Sequence, residues 1–402
     1  MGPLLLLFAL TALAANAQRV NIAYFYNGDN AYHPKNIVTS GAAARITHLM
    51  YAFGKPTATG CAVSDREADY EKPYDAAESV DGKADGTEPH VLRGNFGQLM
   101  KLKAAYPRLK VLISLGGWTL SSHFSEAASS AAARQAFVAS CVGLFIKGDL
   151  GNGISIAGLF DGIDVDWEYP GACGKTCAFS RADPQNFTLL LAEFRRQLDR
   201  LDKRYLLTIA APAGHDQYAL LDLDAIHPDL NYINLMAYDL HGAWEKTTNH
   251  HAALYANPLE PADTANRNID RAVTDYLAAG VPPGKLVLGV PFYGRGWKGV
   301  PYTNNGLYQH AAGPASGSDE SGVDGFRILK SLGYPGFRDP VAQAYWVYSA
   351  SAGVFWSYDD PASLRNKTDY IKNKGLAGAM SWELSDDDST ATLLTTLSDG
   401  LK

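Results

Sequence analysis

Residues 160–170 read Phe160-Asp161-Gly162-Ile163-Asp164-Val165-Asp166-Trp167-Glu168-Tyr169-Pro170. In an extended strand successive side chains point to opposite faces, so Asp164, Asp166 and Glu168 share one face, each about 6–7 Å from the next. Ile163, Val165 and Trp167 point the other way, apolar and ready to pack against helices. Pro170 marks where the ladder stops and a loop begins. Carboxylates aligned this closely repel one another and raise each other's proton affinity. Alternating acids otherwise line the solvated face of an antiparallel sheet or a metal site. Here the apolar partners make the strand buried on its other face, and the acids read as catalytic, one of them protonated near neutral pH.

Seven further short apolar runs bounded by turn residues surround this one. They are Val20–Tyr26, Ile46–Phe53, Leu109–Leu115, Tyr205–Ala211, Leu230–Tyr238, Lys285–Phe292 and Leu376–Trp382, with the acidic strand itself read as Leu159–Glu168. Helical patterns at Phe96–Ala105, Ala131–Ile146, Asp183–Arg200, Thr264–Ala279 and Pro361–Asn373 separate many of them. Strands that are apolar nearly throughout, alternating with helices, predict a parallel sheet covered on its outside. Eight such units predict an α/β fold, a closed (β/α)8 TIM barrel. A doubly wound open sheet is the alternative, but no Gly-rich phosphate fingerprint opens the first strand–helix turn.

Two intervals exceed a simple unit. Residues 54–95, rich in Asp, Glu, Gly and Tyr, read as a long loop on one barrel face. The seventh and eighth strands are separated by roughly 80 residues, far more than one crossover needs. Its own aromatics and a helical stretch near Phe326–Leu332 predict a small α+β insertion between strand seven and helix seven. The expected division is barrel over 18–297 and 359–402 and insertion over 298–358. Trp297, Trp346 and Trp356 belong either to a groove wall or to the insertion's own core.

The chain has 402 residues, 47% of them hydrophobic and 19% charged, with a formal net charge of −7. That balance describes a globular protein with a substantial core and argues against nucleic acid or an anionic membrane as partner. Residues 1–17 carry an apolar run without charge, ending in Ala15-Asn16-Ala17, and predict a signal peptide and a secreted protein. The run lacks a basic n-region and is too short to span a bilayer comfortably. Four cysteines suit an oxidising compartment. Cys173 and Cys177 are spaced to close a small disulfide loop; a CxxxC metal site would need further ligands. Cys61 and Cys141 are left over by that reading, and other connectivities stay open.

In a barrel of this kind the active site lies at the carboxyl ends of the strands. Those ends collect Tyr24, Ser114 with Gly116-Gly117-Trp118, the three acids, Met236 with Tyr238-Asp239 and then Trp244-Glu245, Tyr293 with Arg295, and Trp382. Aromatic faces with interspersed carboxylates and hydroxyls are what a sugar polymer requires, since pyranose C–H faces stack on rings while hydroxyls and amides need fixed partners.

The sequence resembles the family 18 glycoside hydrolases, in particular the secreted chitinases with an insertion in the barrel. The likeness rests on Ser114-x-Gly116-Gly117, Asp161-Gly162-x-Asp164-x-Asp166-x-Glu168, Met236-x-Tyr238-Asp239 and Trp382. It implies that Glu168 is the general acid, that Asp166 orients the substrate's acetamido group, and that Asp164 shares charge or a proton with Asp166. Tyr238 would bond the acetamido oxygen, and Met236 and Asp239 would line the pocket. Trp382 would form the floor beneath the sugar being cleaved, and Tyr24 and Ser114 would complete the network below Asp164. Trp118, Trp244, Glu245, Tyr293 and Arg295 resemble residues lining the subsites of the leaving end, and the insertion would wall and deepen the groove. The implied chemistry is hydrolysis of chitin or chito-oligosaccharides with retained configuration, the substrate's own acetamido oxygen serving as nucleophile. No cofactor or metal is called for, and a monomer is expected.

Three other functions compete. A chitin-binding lectin on the same barrel would lack the acid, yet Glu168 is present. An endo-β-N-acetylglucosaminidase would apply the same chemistry to N-linked glycans; the insertion and the Trp118/Trp244 pair favour linear chitin. A metalloenzyme would use His241, His250 and His251, but adjacent histidines on a loop diverge, and neutral surface histidines are the expectation.

Overall fold

The computed structural model describes residues 19–28, 32–88, 90–262, 267–318 and 320–402; the expected signal peptide lies outside them. Eight parallel strands close on themselves: β1 (Val20–Tyr26), β2 (His48–Thr57), β3 (Lys110–Gly116), β4 (Gly162–Asp166), β5 (Leu206–Pro212), β6 (Tyr232–Met236), β7 (Leu286–Pro291) and β8 (Gly378–Trp382). Each pairs with its sequence neighbours in the barrel, and β1 joins both β2 and β8, so the sheet is a (β/α)8 barrel rather than an open one.

Strand parity sorts the side chains. Ile163 and Val165 join the large core between strands and outer helices, together with Trp167, which stacks on Phe124 at 5.2 Å. Ile22, Tyr24, Met50, Leu112, Val287 and Met380 fill the barrel interior. Helices at Gly94–Ala105, Ala131–Cys141, Asp183–Leu201 and Pro361–Lys374 cover the outside. The helix expected over Thr264–Ala279 runs Ile269–Ala278, because Asn268 caps it by accepting the Arg271 N–H; residues 263–266 lie outside the described residues. At the amino end of β4, Asp161 accepts the Val111 N–H and pairs with Lys103 at 2.7 Å and Lys110 at 3.3 Å. Gly162 follows because a Cβ there would stand 2.3 Å from the Leu206 carbonyl oxygen.

The interval after β2 is partly built. Residues Gly60–Val63 return antiparallel against the end of β2, and Cys61 is bonded to Cys141 on the helix beneath. Between β7 and the Pro361–Lys374 helix stands a second, antiparallel sheet. Its strand Tyr293–Lys298 lies between Gly313–Pro314 and Val354–Tyr358, followed by Ala344–Ser349 and Gly336–Asp339. Trp297 and Trp346 are buried in this sheet's own core with Phe355 and Tyr348, and Trp356 packs into the main core. All three are buried. Among the described residues, no helix is long and apolar enough to cross a membrane.

Candidate active site

The β4 ladder ends at Asp166, two residues short of the expected strand end, so Glu168 stands on the loop above the barrel. Register then decides what surrounds each acid. Asp164 lies level with Ser114 on β3 and Thr208 on β5, all three pointing inward. Tyr24 Oη and Ser114 Oγ donate to Asp164 Oδ2 at 2.8 and 2.7 Å. Thr208 Oγ1 and Asn234 Nδ2 donate to its Oδ1 at 2.5 and 3.3 Å. Burial pushes the Asp164 carboxyl up, and these four donors pull it back toward the anion.

Asp166 has no such support. It is buried, its Oδ1 has no hydrogen-bond partner, and burial together with the charges of Glu168 and Asp164 drives its proton affinity well above the carboxylate range. Both acids of the lower pair thus hold a proton more readily than a free carboxylate, and Asp166 has no donor to oppose the rise. Glu168 is half-buried, and loss of solvent raises it to about 7; a Tyr169 hydrogen bond opposes that rise and the Asp239 charge adds to it.

Tyr238 and Asp239 follow β6 after Ala237, Asp239 with a left-handed φ of 54°. Tyr238 packs against Tyr293 at 6.1 Å, and its hydroxyl faces Met380 Sδ at 3.8 Å. Burial would raise Asp239, but Arg295 grips it through Nε and a terminal nitrogen, both at 2.7 Å, and holds it below the carboxylate range. The Asp239 N–H donates to His251 Nδ1 at 3.2 Å, and burial lowers that imidazole to about 3, keeping it a neutral acceptor.

The histidines are not on the surface, where the sequence puts them. His241 lies buried between Glu245 at 3.0 Å and Glu260 at 3.2 Å, and His250 lies buried against Asp339 at 3.2 Å. The second sheet covers this segment, and carboxylate partners replace the water the rings give up. Among the described residues, no group of three or more His, Cys, Asp or Glu is arranged to hold a metal ion.

Aromatic rings complete the rim. Trp382 stacks on Phe53 at 5.7 Å and meets Tyr24 at 5.3 Å, with Met236 packed on the same interior cluster. Trp118 is 48% exposed and Trp244 57% exposed, and the Arg295 guanidinium sits 5.1 Å over the Trp244 ring. Glu245 reaches toward Arg267 at 3.7 Å and accepts the Trp297 indole N–H on its carbonyl. The Cys173–Cys177 disulfide closes the loop after Glu168. Thr208, Asn234 and Phe53 join the site without a signal in the sequence that singles them out. Parity would place Thr208 inward, but only register sets it beside Asp164.

The Gly116-Gly117 pair has a steric origin. Gly116 has φ +105°, and a Cβ there would stand 2.2 Å from the Asp166 carbonyl oxygen; one on Gly117 would meet the Phe53 ring at 2.4 Å. The expected outcome for Gly116→Ala is a loss of about 2–4 kcal/mol, from a left-handed backbone and a displaced β4 end together. Urea unfolding of the two proteins measures it.

The sequence model described as Glycosyl hydrolases family 18 matches residues 21–387. Chitinase C of Streptomyces lividans is 40% identical over 380 residues, covering 92% of this chain and 57% of its own. Chitinase 1 of Aphanocladium album is 40% identical over 376 residues, covering 91% and 81%. The solved catalytic domain of psychrophilic chitinase B from Arthrobacter TAD20 superposes with a TM-score of 0.90 at 38% identity, covering 96% of this chain and 95% of that one. The chain spans under two thirds of several curated relatives, 57% of the Streptomyces lividans protein and 58% of chitinase A1 from Niallia circulans. With the barrel, the acid ladder and these likenesses together, the chain belongs to family 18 of the glycosyl hydrolases.

Proposed function

We propose that this protein is a chitinase, cleaving β-1,4 linkages between N-acetylglucosamine units of chitin or chito-oligosaccharides with retention of configuration. The carrying observation is the division of labour among three acids. Asp164 is engaged by four donors on both oxygens, and Asp166 is buried with its proton affinity raised, so neither is a free carboxylate nucleophile. Glu168, half-buried on the loop above β4, is raised to about 7, a working value for a general acid. A retaining reaction with one proton donor needs its attacking atom from the ligand, and the 2-acetamido oxygen is within reach of the anomeric carbon in the same sugar.

In this reading Glu168 protonates the glycosidic oxygen as the acetamido oxygen closes on C1. Asp166 accepts the acetamido N–H, which strengthens the acetamido oxygen as nucleophile and stabilises the resulting oxazolinium ion. Tyr238 holds the acetamido oxygen, Trp382 carries the apolar sugar face, and Met236 and Asp239 shape the pocket. Water then attacks C1 with Glu168 as base. Trp118, Trp244, Tyr293, Arg295 and Glu245 hold the leaving end, and the inserted unit, whose sheet begins at Tyr293 rather than at the expected 298, walls the groove. Two disulfides support work outside the cell.

Hydrolysis requires the protonated acid, and Glu168 is held above the ordinary glutamate range, so the active form persists to about pH 7 and is lost above it. Values of kcat/KM on chitin hexamer are therefore expected to fall about tenfold per pH unit on the alkaline side. Initial rates across neutrality check the limb. The decisive experiment is a timed product profile on the hexamer with the anomer of fresh product read by NMR. Fresh β anomer is expected, and fresh α anomer ends the proposal.

A further inference from the structure

Glu168 sits two residues past the end of its strand, so no sheet hydrogen bond holds the peptide that carries the acid. Something else must fix it to a fraction of an ångström, because proton transfer to a leaving oxygen depends steeply on distance. Ser121 stands on a single 3-10 turn after β3 and is buried. Its Oγ accepts the Glu168 backbone N–H at 3.0 Å. The same hydroxyl donates to the Gly117 carbonyl at 2.8 Å and lies 3.1 Å from the Asp166 carbonyl. The Asp166 carbonyl in turn accepts the Gly117 N–H at 2.8 Å. One hydroxyl thus ties the glycine turn after β3 to the two residues that precede and carry the proton donor. The carbonyl side of Glu168 is also confined: a Cβ on Gly174, in the Cys173–Cys177 loop, would stand 2.1 Å from the Glu168 carbonyl oxygen.

We infer that Ser121 is a positioning residue for the general acid, holding the Glu168 peptide so that its carboxyl meets the leaving-group oxygen. This inference rests on Glu168 being the acid. Removing the hydroxyl leaves a part-buried N–H without its acceptor and lets the strand end and the turn separate. The consequence has a chemical signature that a general loss of stability lacks. A sugar leaving group departs as a strongly basic alkoxide unless protonated, whereas a nitrophenolate leaves with little help. Loosening the acid should therefore damage the first far more than the second.

The test compares Ser121→Ala with the unmodified protein on chitin hexamer and on a 4-nitrophenyl chitobioside, reading kcat/KM for both from one preparation. Any misfolded fraction lowers both values equally and cancels in their ratio. The hexamer value is expected to fall about 10- to 100-fold, part of what a positioned acid contributes, and the aryl value less than about threefold. Ser121→Thr, which keeps a hydroxyl at the position, is expected to return the ratio toward that of the unmodified protein. Equal losses on the two substrates, or an unchanged hexamer value, overturn the inference. Glu168→Gln run alongside separates the failures: if it still hydrolyses the hexamer, the acid assignment itself has failed. If it is inactive while Ser121→Ala shows no leaving-group dependence, only the positioning role is wrong.

Discussion

Glu168→Gln is expected to lower turnover of chitin hexamer about a thousandfold or more while leaving the affinity for the hexamer within a few-fold of the unmodified protein. The amide has the shape of the acid and can donate a hydrogen bond, but it cannot release a proton to the departing oxygen or take one from the incoming water. Both halves of the reaction lose the same residue. Binding should survive because the aromatic surfaces of Trp118, Trp244 and Trp382 and the Asp239–Arg295 pair remain in place. Folding should survive as well, since the substitution removes a carboxyl held well above its ordinary range rather than a stabilised anion. Calorimetric binding of the hexamer and reducing-end release from one preparation give the two numbers. Near-normal turnover would remove Glu168 from its role, and loss of binding in parallel with turnover would point to a disturbed groove instead.

Much of this site is legible in the amino-acid sequence, for a definite physical reason. The period of two in residues 163–168 is a local property, and it alone puts three acids on one face and Ile163, Val165 and Trp167 on the other. The apolar strands alternating with helices likewise require a covered parallel sheet. What the sequence hides is non-local. Thr208 meets Asp164 only because β5 stands in one register beside β4, and no pattern within either segment fixes that. Phe53 backs Trp382 across the closure of the barrel, far away in sequence. The His241, His250 and His251 segment looks like a polar surface loop when read alone. It is buried because a sheet built from residues beyond 293 folds over it and supplies Asp339 and Ser357 as partners. Strand ends differ as well: β4 and β6 stop earlier than their apolar patterns do, and Glu168, Tyr238 and Asp239 all belong to the loops above. Those residues project from turns, where the ladder no longer constrains them, which is why Ser121 and Arg295 have positions to hold.

Removing the acetyl groups from the substrate is expected to slow cleavage by about ten thousandfold or more, because the attacking atom goes with them. A well-placed intramolecular nucleophile contributes effective molarities of about 10⁵ M and upward, and no protein carboxylate stands ready to replace it. Asp164 would have to break four hydrogen bonds to move, and Asp166 would have to ionise beside two other acids. A free amine at C2, protonated near neutral pH, would also meet Tyr238 and Asp166 with the wrong hydrogen-bonding capacity. The requirement applies to one sugar only, the unit whose anomeric carbon is attacked. On a partly deacetylated chain, every new reducing end should therefore carry an N-acetyl group, while the sugars on the leaving side can be of either kind. Mass spectrometry of products from such a polymer, set beside rates on the fully acetylated and fully deacetylated hexamers, tests both statements. New reducing ends bearing free amines at more than trace level would mean that the protein provides its own nucleophile, and the roles given to Asp164 and Asp166 would have to be exchanged for that of a covalent catalyst.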